Sequence, residues 1–152
     1  MADEPSDGTA RAQDVRRITF TVYGRVIGKG RPHFVKKTGA AITPPATKSY
    51  ESVLRDKATP CMQDTTPWTG PVSLDLSATY KIPKSWKKAD REAAIAGFRE
   101  PGKPDLDNVV KILADSLNRV VYLDDTQITK ITAQKLWSTE EDRLDVVLTR
   151  LV

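Results

Sequence analysis

The chain has 152 residues, of which 39% are hydrophobic and 29% charged, with a net charge of +4. That is the balance of one globular domain with a single core, and only weak support for a polyanionic partner. Its one cysteine, Cys61, and one histidine, His33, exclude an internal disulfide, a Cys-x-x-Cys redox or zinc site and a histidine-based zinc centre. No apolar run reaches the ~18 residues needed to span a bilayer, and the acidic start has no apolar signal segment; a cytoplasmic protein that works through carboxylates, lysine and arginine is expected.

Residues 1–15 are polar and aperiodic and read as a disordered tail, with one domain over 16–152. Within Arg16–Arg25, Ile18, Phe20 and Val22 alternate with Thr19, Thr21 and Tyr23, the period of a half-buried strand. Glycine and proline then cluster in GRVIGKGRPHFVKKTGAAITPP, which marks irregular backbone. A small hairpin is expected there, His33–Lys36 against Ala40–Thr43 across Lys37-Thr38-Gly39. Gly28-Lys29-Gly30 is not a P-loop, because no Ser or Thr follows the lysine; no nucleotide cofactor is expected. Thr47 should cap a helix running to about Gln63, with Tyr50, Val53, Leu54 and Ala58 at helical spacing and Pro60 in its last turn.

Val72–Tyr80 alternates cleanly and is the clearest strand. Ser85 should cap a short helix from Trp86 to about Ala96, closed by Gly97 and carrying Lys87, Lys88 and Arg91. Asn108–Leu117 reads as a helix with Val110, Leu113, Ala114 and Leu117 on one face and Asp107, Lys111 and Asp115 on another. Two strands follow, about Ile128–Trp137 and Arg143–Leu151, joined by a polar segment over 138–142 suited to a hairpin loop. The expected fold is α/β of the α+β kind: one mixed sheet with helices mainly on one face.

The chemistry concentrates in Lys103–Ile128. Asp105 and Asp107 sit one residue apart at a helix start, where the helix dipole favours negative charge. Lys111 follows one turn later. A chain reversal near Asn118-Arg119 and a short strand over Val120–Tyr122 should return Asp124 or Asp125 beside Asp105 and Asp107. Clustered carboxylates repel by roughly 1 kcal/mol at ~4 Å even in water. A divalent cation relieves that, and all-oxygen ligands select Mg²⁺, Mn²⁺ or Ca²⁺. The same residues also read as an N-cap, its i+4 partner and a turn. A DxD-type metal-dependent nucleotidyl transferase and a non-catalytic branched-DNA-binding module are the competing functions.

The segment KPDLDNVVKILADSLNRVVYLDDTQI resembles the central motif of the RusA family of Holliday-junction resolvases, KPDxDN-x2-K-x3-DALNG-x-x-Y-x-DDxQI. The GKGRPH loop, Thr47 and Tyr50, the IPKSW segment and the two closing strands extend the resemblance over about residues 16–152. It implies a RusA-like fold and a dimeric, Mg²⁺-dependent endodeoxyribonuclease (Mn²⁺ substituting) of DNA recombination and repair. Such an enzyme nicks four-way junctions symmetrically, in a bacterial or phage setting. Carried over position by position, the metal ligands are Asp105, Asp107 and Asp125, with Asp124 ranked behind Asp125, and Lys111 is the catalytic lysine. Asp115 matches a family position of underived role, in support of another ligand or on the surface. Ser116, Arg119 and His33 depart from the pattern without removing a carboxylate or the lysine. Candidate DNA contacts are Lys29, Arg31, Lys36, Lys37, Lys87, Lys88, Lys103 and Lys111, with His33 and Phe34 either near the branch point or packed.

Overall fold

The computed structural model describes residues 15–31, 33–34 and 36–152, with the side chain of His33 left aside. The expected tail falls outside these residues, except for Val15. In chain order the elements are β1 (Arg17–Tyr23), the two-residue strands β2 (His33–Phe34) and β3 (Ala41–Ile42), α1 (Pro45–Cys61), β4 (Val72–Lys81), α2 (Lys88–Ile95), α3 (Leu106–Ser116), a 3-10 turn (Asp125–Gln127), β5 (Ile128–Ser138) and β6 (Arg143–Arg150).

The main sheet runs β1-β6-β4-β5, with β4 parallel to β5 and antiparallel to β6. Parallel neighbours need a crossover, and here the crossover from β4 to β5 carries α2, α3 and the acidic turn. The register puts Ile18, Leu148 and Leu74 in one row, and Phe20, Val146 and Leu76 in the next. All six are buried. Against this face pack Tyr50, Leu54 and Ala58 of α1 and Val109, Ile112 and Leu113 of α3. The opposite face is polar: Thr21 Oγ1 donates to Asp145 Oδ1 at 2.7 Å, and Gln134 Nε2 to Ser77 Oγ at 2.9 Å. The mixed sheet with helices on one face is thus the expected architecture, in one domain.

Several local expectations change. The 138–142 segment does not join a hairpin: β5 and β6 flank β4 and do not pair. β6 alternates cleanly and lies inside the sheet, whereas β5 is mostly exposed and forms its edge; their adjacency in the chain does not set strand order. Thr47 is no N-cap. The helix begins at Pro45, whose fixed φ suits the first turn, and the Thr47 hydroxyl instead accepts from Gly30 N at 3.1 Å. α2 starts at Lys88 behind Lys87, because Ser85 lies in a turn closed by Trp86 N donating to Pro83 O at 3.2 Å. Gly97 does close it, at φ +87°. α3 starts two residues earlier than expected, and its buried face is wider, adding Val109, Ile112 and Ser116 while Val110 is only half-buried. The small hairpin forms in shorter form, His33 opposite Ile42 and Phe34 opposite Ala41.

Candidate active site

The approach to α3 is pinned from the sheet. Lys135 of β5 donates to the carbonyls of Pro101, Gly102 and Pro104 at 3.0, 2.8 and 3.2 Å. Trp137 Nε1 donates to Arg99 O at 2.7 Å, and its ring meets Trp86 edge-on at 5.2 Å between centroids. The segment thus delivered ends in Asp105, the N-cap of α3, whose carboxylate does not cap the helix. It lies 3.7 Å from Lys103 Nζ, both side chains largely exposed. Asp107 stands in the first turn and Lys111 one turn on, both exposed. Neither side chain makes a hydrogen bond or ion pair among the described residues. A capping role would give Asp107 or Asp105 a bond to the helix amides; neither makes one, and beyond the Lys103 pair of Asp105 both carboxylates face solvent.

The second acidic pair returns to a different part of α3 than the spacing suggested. Residues 120–122 form a turn, not a strand running back to the helix start. Tyr122 OH donates to Ala114 O at 2.6 Å, and burial pushes its pKa far up. The turn therefore lies against the later part of α3, where Asp125 meets Asp115. The hydrogen bond to Asp115, then burial and the charges of Asp115 and Asp124, raise the Asp125 pKa above its ordinary value. Asp124 has a different task. Its carboxylate accepts from Thr126 N at 3.1 Å, which lowers its pKa, and it completes a capping box with Gln127. Gln127 Oε1 accepts from the amides of Leu123 and Asp124 at 2.9 and 3.0 Å. Its Nε2 donates to Trp68 O and Gly70 O at 2.8 and 2.9 Å. One side chain thus ties the acidic turn to the segment leading into β4. Sequence reasoning assigned Gln127 no part, although an Asp followed three residues on by Gln is a capping-box signal.

The glycine-flanked loop closes the site from the α1 side. A Cβ on Gly28 would sit 2.9 Å from the Cβ atoms of both Asn108 and Pro104, and one on Gly30 2.8 Å from Thr47 Oγ1. Only glycine permits this approach. Lys29 N donates to Asn108 O at 2.8 Å. The ammonium of Lys29 reaches Glu51 Oε2 at 2.7 Å and Asp115 Oδ2 at 3.2 Å. Burial works against its charge, yet the bonds to Glu51 and Asp115 outweigh that and raise its pKa. Glu51 was not foreseen, because nothing in its local spacing marks it. Lys29, Gly30, Arg31, Asn108, Lys111 and Asp115 line an open cleft of about 330 Å³. A larger concavity of about 610 Å³ between α2 and β5 holds none of the aspartates discussed here.

The remaining sequence candidates are dispersed. Arg31, Lys36 and Lys37 are exposed around the β2–β3 hairpin. Lys87 and Lys88 are exposed at the start of α2, with Lys88 Nζ 3.9 Å from Glu92. The oxygen donors suit a hard divalent cation in kind. In place, the described residues form no group of three or more His, Cys, Asp or Glu side chains disposed around a metal position. The structure brings Asp115, Asp125 and Lys29 together, and sets Asp105 and Asp107 at the other end of the same helix.

The family model for the endodeoxyribonuclease RusA matches residues 24–149. The chain belongs to the RusA family. It is also similar to an uncharacterised Bacillus subtilis protein, YqaN. The two are 36% identical over 135 residues, covering 86% of this chain and 94% of that protein. Membership makes this a nuclease-family fold, and the motif residues of α3 and the acidic turn lie inside the matched span. No helix among the described residues is long and apolar enough to cross a membrane.

Proposed function

We propose that this RusA-family chain is a Mg²⁺-dependent, structure-selective endodeoxyribonuclease that resolves four-way DNA junctions by paired symmetric nicks in recombination and repair. The observation that carries the reading is the exposed set Asp105, Asp107 and Lys111 on the first turns of α3, with Asp107 and Lys111 free of partners among the described residues, beside a cleft with Lys29 and Arg31 on its wall. The family motif assigns the cation, for which Mn²⁺ could substitute, to Asp105, Asp107 and Asp125, although Asp125 lies beside Asp115 at the far end of α3 from the other two. When bound, such an ion activates a water and stabilises charge on the phosphate. Lys111 places a fixed positive charge where the scissile phosphate or leaving oxygen develops charge. Asp124 is kept for the turn.

Arg31, Lys36, Lys37, Lys87, Lys88 and Lys103 supply an exposed basic surface for the arms. Lys87 and Lys88 stand at the positive end of α2, where helix stability alone favours acids. A phosphate there gains from both. Phe34, 70% exposed on the hairpin, is available to stack on a base at the branch point. A C2 dimer would present two such sites to the near-twofold junction. A bacterial or prophage host suits the reading, as the relative is from Bacillus subtilis.

The test mixes the protein with a four-way junction, a matched linear duplex and Mg²⁺. Paired nicks confined to the junction are expected. No cleavage in either Mg²⁺ or Mn²⁺ sinks the reading.

A further inference from the structure

We propose that Lys29 is a positioning residue of this site rather than a phosphate contact: held by Glu51, its ammonium fixes the Asp115 carboxylate and thereby the orientation of Asp125. The inference rests on the nuclease reading above and deepens it.

Four observations converge. The ammonium is engaged by two carboxylates, Glu51 Oε2 at 2.7 Å and Asp115 Oδ2 at 3.2 Å. The Lys29 side chain is 25% exposed and that of Glu51 only 14%, whereas Arg31, Lys36 and Lys37 are exposed. Glu51 has no other partner among the described residues. Swinging Lys29 out to a phosphate would strand a largely buried carboxylate, a costly state. The backbone is fixed as well. Lys29 N is bound to Asn108 of α3, Gly30 N is bound to Thr47 of α1, and neither flanking position has room for a Cβ. The lysine is therefore aimed by both helices at once. Its target, Asp115, is the carboxylate beside Asp125. The chain of contacts Glu51–Lys29–Asp115–Asp125 runs from α1 through the loop and α3 to the acidic turn. Groups that orient a metal-binding carboxylate in this way typically contribute 10- to 100-fold to metal affinity or rate.

The experiment compares the full chain with Lys29→Met, Lys29→Arg and Glu51→Gln. Four readouts are taken: single-turnover cleavage of a four-way junction at saturating protein, junction affinity in EDTA, the salt dependence of that affinity, and Mn²⁺ binding by calorimetry. Positioning predicts that Lys29→Met lowers the saturated rate and Mn²⁺ affinity by about tenfold or more. Junction affinity and its salt slope stay at the parent value, Lys29→Arg restores most of the loss, and Glu51→Gln shows the same signature in weaker form. A phosphate contact predicts the opposite: weaker junction binding, a salt slope reduced by about one, and an intact saturated rate. That pattern overturns the proposal, as does a Lys29→Met protein with parental rate and Mn²⁺ affinity. If Lys29→Met fails to fold by circular dichroism, Glu51→Gln decides, and a parental rate and Mn²⁺ affinity there overturn it. If the parent itself does not cut junctions, the nuclease reading fails while the Mn²⁺ titrations still judge Lys29.

Discussion

Asp115 and Asp125 bring two carboxyl groups side by side, one on the outer face of α3 and the other in the 3-10 turn that leads into β5. Two acids so placed do not both ionise freely. The contact raises the native pKa of Asp125 above its ordinary 3.8.

The sign follows from linkage. A raised native pKa means that the folded state binds this proton more tightly than the unfolded state. The resulting stability is fully present below about pH 3.8 and is lost as pH rises through the raised value. At pH 7 the metal-free protein therefore carries unrelieved repulsion. Asp125→Asn should melt in EDTA at or slightly above the parent at pH 7, by less than about 1 kcal/mol since the site is open to solvent. The gain should vanish below pH 3.8. Calorimetric melts at both pH values check this; a clear drop at pH 7 would show that Asp125 stabilises the fold in its charged form.

Among the described residues, Lys111 and Asp107 have no partners to lose. Lys111→Met and Asp107→Asn should each leave stability within about 0.5 kcal/mol of the parent. Single-turnover cleavage should fall about 100-fold or more, the scale of losing a group that stabilises transition-state charge. Junction binding in EDTA should persist for both. Retained cleavage in Asp107→Asn would return that residue to a plain surface role.

Arg119 occupies the left-handed region at φ +68°, in the turn where Arg119 N donates to Tyr122 O at 2.6 Å. A side chain there costs roughly 1–2 kcal/mol that glycine avoids, partly offset by the greater freedom of glycine in the unfolded chain. Arg119→Gly should therefore raise stability by about 0.5–1 kcal/mol. Urea unfolding measures it, and a destabilised variant would mean that the arginine side chain makes up for its backbone.

Gln127→Ala removes four hydrogen bonds at once. At a net ~1 kcal/mol each when buried, and less at the surface, the expected loss is about 1–3 kcal/mol. The amides of Leu123 and Asp124, protected in the parent, should then exchange quickly with solvent. Unchanged exchange would mean the turn is held by other contacts.

Residues that form their own local pattern were readable from the sequence. The alternation of Val72–Tyr80, the 3.6-residue period before Leu117 and the long motif through Asp125 led to the strands, α3 and the family. What stayed hidden depends on partners distant in the chain. Strand order was one case, since β5 and β6 are consecutive yet flank β4. The job of Lys29 was another, because its positive charge resembled a DNA contact until Glu51 and Asp115 appeared beside it. The return point of the acidic turn was a third: the Tyr122 hydroxyl, bonded to Ala114, sets which part of α3 Asp125 meets. A lone tyrosine in the sequence does not reveal that anchor.

The closeness of Gly28 to Asn108 and Pro104, and of Gly30 to Thr47, has a consequence for how related chains can diverge. A larger residue at 28 requires both the 104 turn and the start of α3 at 108 to move away, and a larger one at 30 requires the hydroxyl at 47 to go. These positions should change together or not at all across relatives. Glu51 should be inherited only together with Lys29, because without the lysine its largely buried charge is stranded between two helices.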